Sequence, residues 1–231
     1  MTTTPPAGRA ALLVLADGRF PAGGHAHSGG AEAAVKAGRI TGPDSLAAFC
    51  RGRLHTAGLV AAALAAAAAL GLDPAALDAA ADARTPAPAL RATARKLGRQ
   101  LTRAARAVWP GDTGLAALAA AFPRGAHQPV ALGLAARAAG LGPLDAAAVA
   151  AYESVGGPVT ATVRLLGLDP FEATAVLARL APELDEVAVR AADAAERARL
   201  GGPAELPAAA SPLLEIGAQA HADWPVRLFA S

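Results

Sequence analysis

The stretch FPAGGHAHSGGAE, residues 20–32, breaks the composition of the chain more sharply than any other. Elsewhere alanine, leucine and arginine recur with helical spacing. Here four glycines, a proline, two histidines and a serine separate two apolar helical segments. Glycine has no side chain to bury and the most backbone freedom to lose, so this clustering marks tight turns or a close backbone approach. Ser28 is placed to accept a hydrogen bond from the first turn of a helix starting at Gly29. Glu32 then stands near the positive end of that helix. The stretch reads as a fixed turn feeding a helix start, with helices on both sides.

Three chemistries fit such a stretch. A phosphate-cradling loop would end in Gly-Lys-Ser/Thr and follow a strand, and residues 23–30 do neither. Metal binding by His25 and His27 is the second, since histidines two apart on extended backbone can share an ion. Such a site needs three or four ligands with second-shell support, and His127 is the one further candidate singled out. The third is a structural turn, which the spacing favours.

Working outward, stop and start signals divide the rest into helices. A short helix ends at Gly38, and residues 41–44 offer caps for a long helix over 45–70. Asp73-Pro74 restarts the chain with an N-cap and a proline at the first helical position. Residues 85–88 break it again. Over 90–108 the period is helical, with Arg91, Arg95, Arg99, Arg103 and Arg106 in one stripe and Leu97, Leu101, Ala104, Ala105 and Val108 opposite. That stripe reads as a solvated face or a contact for an acidic protein surface. Further helices are expected over 113–122, 130–139 and 145–155, with Gly156-Gly157-Pro158 interrupting before a segment over 159–166. Asp169-Pro170 opens a helix to about 181, and Pro182 opens another reaching 200. Residues 159–163 are β-branched, but one strand among helices would have no partner. The expected fold is all-α: a single-domain bundle of about ten helices over residues 1–200, then an extended, proline-rich tail over 201–231. That tail carries Leu213, Leu214, Ile216, Trp224, Leu228 and Phe229, which are costly to leave in water, so it reads as a segment that orders on binding.

Composition narrows the function classes. Lys+Arg 21 against Asp+Glu 19 gives a net charge of +2, too balanced to imply nucleic acid or a membrane surface. The only cysteine, Cys50, excludes an internal disulfide and suits a reducing, cytoplasmic compartment. The apolar run 10–16 is short, closes at Asp17 and lacks a cleavage site, so it reads as a first buried helix. Residues 54–72 carry no formal charge and approach a membrane-spanning length. They are mostly alanine, which inserts far less readily than leucine, and read as a packed internal helix. No nucleophile motif or compelling pair of acids supports catalysis.

Residues 12–32, LLVLADGRFPAGGHAHSGGAE, resemble the amino-terminal signature of the urease accessory protein F family: an apolar helix, a Phe-Pro-x-Gly-Gly turn and a Ser-x-Gly-x-Glu helix start. The matching positions are Phe20, Pro21, Gly23, Gly24, His27, Ser28, Gly29, Gly30 and Glu32, whereas His25 stands where the family has an apolar residue. HQPVALG at 127–133 and the Val-Arg-Leu context of Arg164 extend the resemblance. So do His221, Arg227, Leu228, Phe229 and Ser231 at the end. It implies a non-catalytic, commonly dimeric scaffold with no cofactor of its own. Such a protein bridges accessory protein D (H in some systems) to the GTPase accessory protein G and supports nickel delivery to apo-urease. It further implies partner contacts through Phe20, Pro21, Gly23, Gly24, His27, Ser28, Gly30, Glu32, Arg164, Arg227, Leu228 and Phe229. The residues alone also leave open a small helical metal-binding protein or enzyme using His25, His27 and His127.

Overall fold

The computed structural model of the chain describes residues 10–229. Ser231 of the expected tail match lies outside them. Among the described residues there are eleven α-helices and no strand, in keeping with the all-α expectation. They are α1 (Ala10–Ala16), α2 (Ala31–Lys36), α3 (Pro43–Arg53), α4 (Leu59–Leu70), α5 (Pro74–Ala83), α6 (Pro88–Val108), α7 (Thr113–Ala121), α8 (Gln128–Ala138), α9 (Pro143–Leu166), α10 (Pro170–Gly201) and α11 (Pro212–Ala222). A π-helical turn, Leu54–Gly58, joins α3 to α4 in one rod, Pro43–Leu70.

That rod is long and apolar enough to cross a membrane, but 67% of its most apolar window is buried inside the fold. It is the core helix. Residues 62 to 68 are almost wholly sealed from solvent, and α8, α9 and α10 pack around α4. Alanine leaves a helix little wider than its backbone, so the neighbours come very close. A Cβ added to Gly133 of α8 would fall on the Ala65 carbonyl oxygen and 2.6 Å from Ala68 Cβ. Gly133 is glycine because the two helices touch backbone to backbone there.

Two expected breaks are absent. α9 runs straight through Gly156-Gly157-Pro158, and α10 runs through Pro182. A proline inside a helix removes one N–H and frees the carbonyl four residues earlier. In α9 that carbonyl belongs to Ser154, and Arg53 Nε donates to it at 2.7 Å. In α10 it belongs to Ala178, an exposed residue. Sequence reasoning stopped at the prolines because neither setting is local. α1 also departs from expectation. Only Leu15 of it is buried, while Leu13 and Val14 are 67% and 48% exposed. On α6, Leu97, Leu101, Ala104 and Ala105 face inward as expected, but Val108 is exposed.

The α4–α8 contact generates a direct test. Gly133→Ala forces a methyl into backbone and is expected to destabilise the chain by about 1–3 kcal/mol, the usual cost of overpacking. The urea midpoint should fall with an unchanged slope. An unchanged midpoint would show that α4 and α8 stand further apart.

Candidate functional site

The glycine-rich stretch folds as a short 3-10 turn, Gly24–Ala26, followed by extended His27 and two left-handed glycines, Gly29 (φ 57°) and Gly30 (φ 89°). Those two conformations delay the helix. α2 starts at Ala31 rather than Gly29, with Gly30 at the N-cap. The Ser28 carbonyl accepts from Ala31 N at 3.1 Å and its hydroxyl from Glu32 N at a long 3.4 Å. A side chain at Gly30 would be strained, and its Cβ would land on Leu214 of α11. At Gly29 the neighbours are the Pro158 ring and the Arg53 guanidinium. The turn is therefore held between α9 on one side and α11 on the other.

Glu32 sits at the focus. It is 8% exposed, and each carboxylate oxygen is taken by the chain's own tail. Oε1 accepts from Leu228 N at 2.8 Å; Oε2 accepts from Phe229 N at 3.0 Å and lies 2.9 Å from His221 Nε2. His221 is fully buried and packs against Trp224, whose ring in turn carries Lys36 Nζ 3.9 Å from its centre. Burial alone would raise the pKa of Glu32. The Leu228 amide, the His221 ring and the Phe229 amide outweigh it, and the carboxyl is held below its ordinary range. Phe229 is buried, with the exposed Arg164 guanidinium 5.8 Å from its ring centre. Leu228 is 72% exposed, and Arg227 is exposed beside it.

The residues singled out from sequence thus form two groups. Glu32, bonded through its N–H to Ser28, meets Leu228 and Phe229 of the tail, Arg164 of α9 stands by the Phe229 ring, and Gly30 meets Leu214 of α11. Phe20, Pro21, Gly23 and Gly24 lie towards α6, where Phe20 stacks on Trp109 at 6.3 Å and Gly23 abuts the Gln100 side chain. The three histidines are in different settings. His25 is exposed. His27 is buried with Nδ1 unpartnered among the described residues, and burial, then Lys96 and His25, lower its pKa. His127 is 2% exposed, and its Nε2 lies 2.7 Å from Asp82 Oδ1 while its backbone N donates to Asp78. Among the described residues no group of three or more His, Cys, Asp or Glu is placed to hold a metal ion.

Sequence reasoning missed the polar clasp around His127. Asp78 and Asp82 lie one turn apart on α5, and Arg95 Nη2 bridges them at 2.8 and 2.7 Å. Burial would raise Asp82, but hydrogen bonds and charge from His127 and Arg95 hold it low. The i, i+4 spacing of the two acids was the signal. Two of the five stripe arginines are hereby engaged, since Arg91 Nη1 also donates to the Thr85 and Pro86 carbonyls. Arg99, Arg103 and Arg106 remain exposed. The tail's tethers were equally unseen. Arg84 donates to the carbonyls of Pro203, Leu206 and Pro207, and Glu215 accepts from Ala87 N at the start of α6. Burial pushes the Cys50 thiol up to about 12, which removes it as a nucleophile at neutral pH.

The sequence has relatives among known proteins. A sequence model of the UreF family matches residues 40–181, most of the helical body. Three proteins described as urease accessory protein UreF are similar over nearly their whole length. That of Mycobacterium sp. strain JLS is 45% identical over 221 residues, covering 95% of this chain and 97% of that protein. That of Mycolicibacterium vanbaalenii is 43% identical over 228 residues, covering 96% and 98%. That of Mycobacterium tuberculosis H37Rv is 41% identical over 225 residues, again covering 96% and 98%.

The Glu32 clamp is testable by pH. Because the folded pKa is depressed, the carboxylate's contribution is fully present above the ordinary glutamate value of about 4.3 and is lost as pH falls through the lower folded value. NMR amide signals of Leu228 and Phe229 should show hydrogen-exchange protection that declines on acidification. Glu32→Gln should lower that protection at neutral pH and flatten its pH dependence. Glu32→Ala, which strands buried donors, should weaken the tail's closure by about 2 kcal/mol or more. Unchanged protection in both variants would mean that the tail is held elsewhere.

Proposed function

Because the chain belongs to the UreF family of urease accessory proteins, we propose that it is a non-catalytic cytoplasmic scaffold for urease maturation. In this reading it assembles, as a dimer, with accessory protein D (H) and with the GTPase accessory protein G. The complex passes nickel, as cargo, to apo-urease. The GTPase partner supplies the energy, and this chain supplies the surface.

The observation that carries the reading is the junction at Glu32. The two ends of the chain that bear the family signature, residues 20–32 and 221–229, are joined there by hydrogen bonds from Leu228, Phe229 and His221. The junction buries Phe229, with the exposed Arg164 guanidinium 5.8 Å from its ring centre, and leaves Leu228 and Arg227 exposed, so the end of the tail offers an apolar side chain next to a cation. An apolar anchor ringed by charge is the usual form of an interaction hot spot. In this reading the exposed side chains of the tail, Leu228 first among them, meet accessory protein D. A non-catalytic role is supported by the inert, buried Cys50 and by the engagement of His127 with Asp78 and Asp82.

Co-purification with accessory proteins D and G tests the assignment. Leu228→Ser, which alters an exposed side chain, should weaken assembly at least about tenfold with helicity unchanged, as should Glu32→Ala through the tail. His25→Ala should have little effect. Tight stoichiometric nickel binding by the isolated chain, lost in His25→Ala, together with normal assembly of Glu32→Ala, would overturn the scaffold reading in favour of a metal protein.

A further inference from the structure

A groove of about 400 Å³ opens between the α2–α3 corner and the start of α11, on the outer side of Gly30. Its walls are mostly apolar, formed by Ala33, Ala48, Phe49, Leu213 and Leu214. Leu213 is 65% exposed at the rim. The charged residues lining it are Arg39 and Arg53, and no aspartate or glutamate lines it.

Arg53 is the unusual member. Its Nε is committed to the Ser154 carbonyl, the one freed by Pro158. Its guanidinium carbon lies 3.5 Å from where a Cβ on Gly29 would stand, so the head group is pinned over the glycine turn. A guanidinium has five N–H donors, and only this one is matched among the described residues. Arg53 is half-buried and also borders an adjoining cavity that Gly29 and Glu215 line, and burial lowers its pKa. Arg39 stands at the mouth, with Nη2 3.7 Å from the position of a Cβ on Gly217 of α11. A guanidinium with unmatched N–H groups at the wall of a groove is a carboxylate receptor, since Arg presents paired N–H groups in the geometry a carboxylate accepts.

We propose that this groove is the docking site for an acidic, apolar peptide segment of a partner protein. A glutamate or aspartate side chain of the partner seats on the Nη edge of Arg53 with Arg39 at its flank. Apolar side chains on either side of it cover Phe49 and Leu213. Charge complementarity selects the acid: the groove is lined by two cations and no anion. The apolar walls select a peptide over a free anion, which would leave them wet. The site is distinct from the Glu32 junction and does not depend on which accessory proteins assemble there.

The test is an array of acetylated, amidated pentapeptides with Leu, Ile, Phe or Met at four positions and Glu, Gln or Lys at the centre, probed with the full chain. The best Glu-centred peptide is then titrated by calorimetry beside its Gln counterpart and an Ala-flanked Glu peptide. The Glu peptide is expected to bind at least about tenfold more tightly than the Gln peptide, the ratio for one charge-assisted pair. Arg53→Met should reduce that ratio to about threefold or less. Ala48→Trp fills the groove from an exposed helical position without touching Arg53, and should abolish binding while leaving the circular dichroism spectrum unchanged. Equal binding of Glu and Gln peptides, or undiminished binding in Ala48→Trp, overturns the proposal. So does no saturable binding by any peptide. Equal affinity for the Ala-flanked peptide would make the site a simple anion hole. Self-association lost in Ala48→Trp without peptide binding would assign the groove to a second copy of the chain.

Discussion

The fold depends on backbones touching. With aromatics at 3% of residues and alanine supplying much of the core, α4 has few large side chains with which to fill space. Dispersion and burial per residue are small for alanine, so the helices gain packing only by approaching until their main chains meet. Gly133 at α4–α8 and Gly58 opposite Ser154 of α9 are where that approach leaves no room for a Cβ. The π turn Leu54–Gly58 belongs to the same constraint. One wider turn shifts the register of the rod, so that the polar side of α3 faces Glu183 through Arg51 and His55 while α4 is sealed in the core.

The same closeness organises the glycine turn. Pro158 removes a hydrogen from α9, the bare Ser154 carbonyl draws Arg53, and the Arg53 head group covers Gly29, whose other neighbour is the Pro158 ring. Gly30 then admits Leu214, which sets the position of α11, and α11 delivers His221 to Glu32. A defect in one helix is thus answered by a side chain from a second, and the answer positions a turn from a third part of the chain. Two glycine-rich motifs 130 residues apart in sequence are halves of one contact, residues 27–30 against 157–158.

Local chemistry in the sequence foretold the helix class, the Asp73 and Asp169 caps, and the buried run in the core. Those features follow from neighbours within a turn of each other. The misreadings share one origin. Pro158 and Pro182 break helices by local rules, and here both helices continue: Arg53 serves the carbonyl freed by Pro158, and the one freed by Pro182 belongs to an exposed residue. Glu32 was singled out by its place after the turn. Its partners lie nearly 200 residues away, and backbone amides leave no mark in a sequence. Arg53 and Arg84 were invisible for the same reason, since their acceptors are carbonyls of distant segments.

What distinguishes the tail from the body is the kind of force that holds it. The body is joined by apolar surface, which cannot be exchanged for water without loss. Between residues 203 and 229 the buried residues are few: Leu206, Ala218, His221 and Phe229. The attachment runs instead through Arg84 on three carbonyls, Glu215 on the start of α6, Ser211 on Thr56, and Glu32 on two amides. Each of these is a directional bond whose net worth over a bond to water is about 1 kcal/mol, or two to three times that where a charge takes part. A partner that offers equivalent donors and acceptors can replace them one by one, with little apolar surface exposed at any stage. Polar tethering therefore gives a tail that is ordered on its own chain yet inexpensive to transfer, and it confines that property to the segment carrying Leu228.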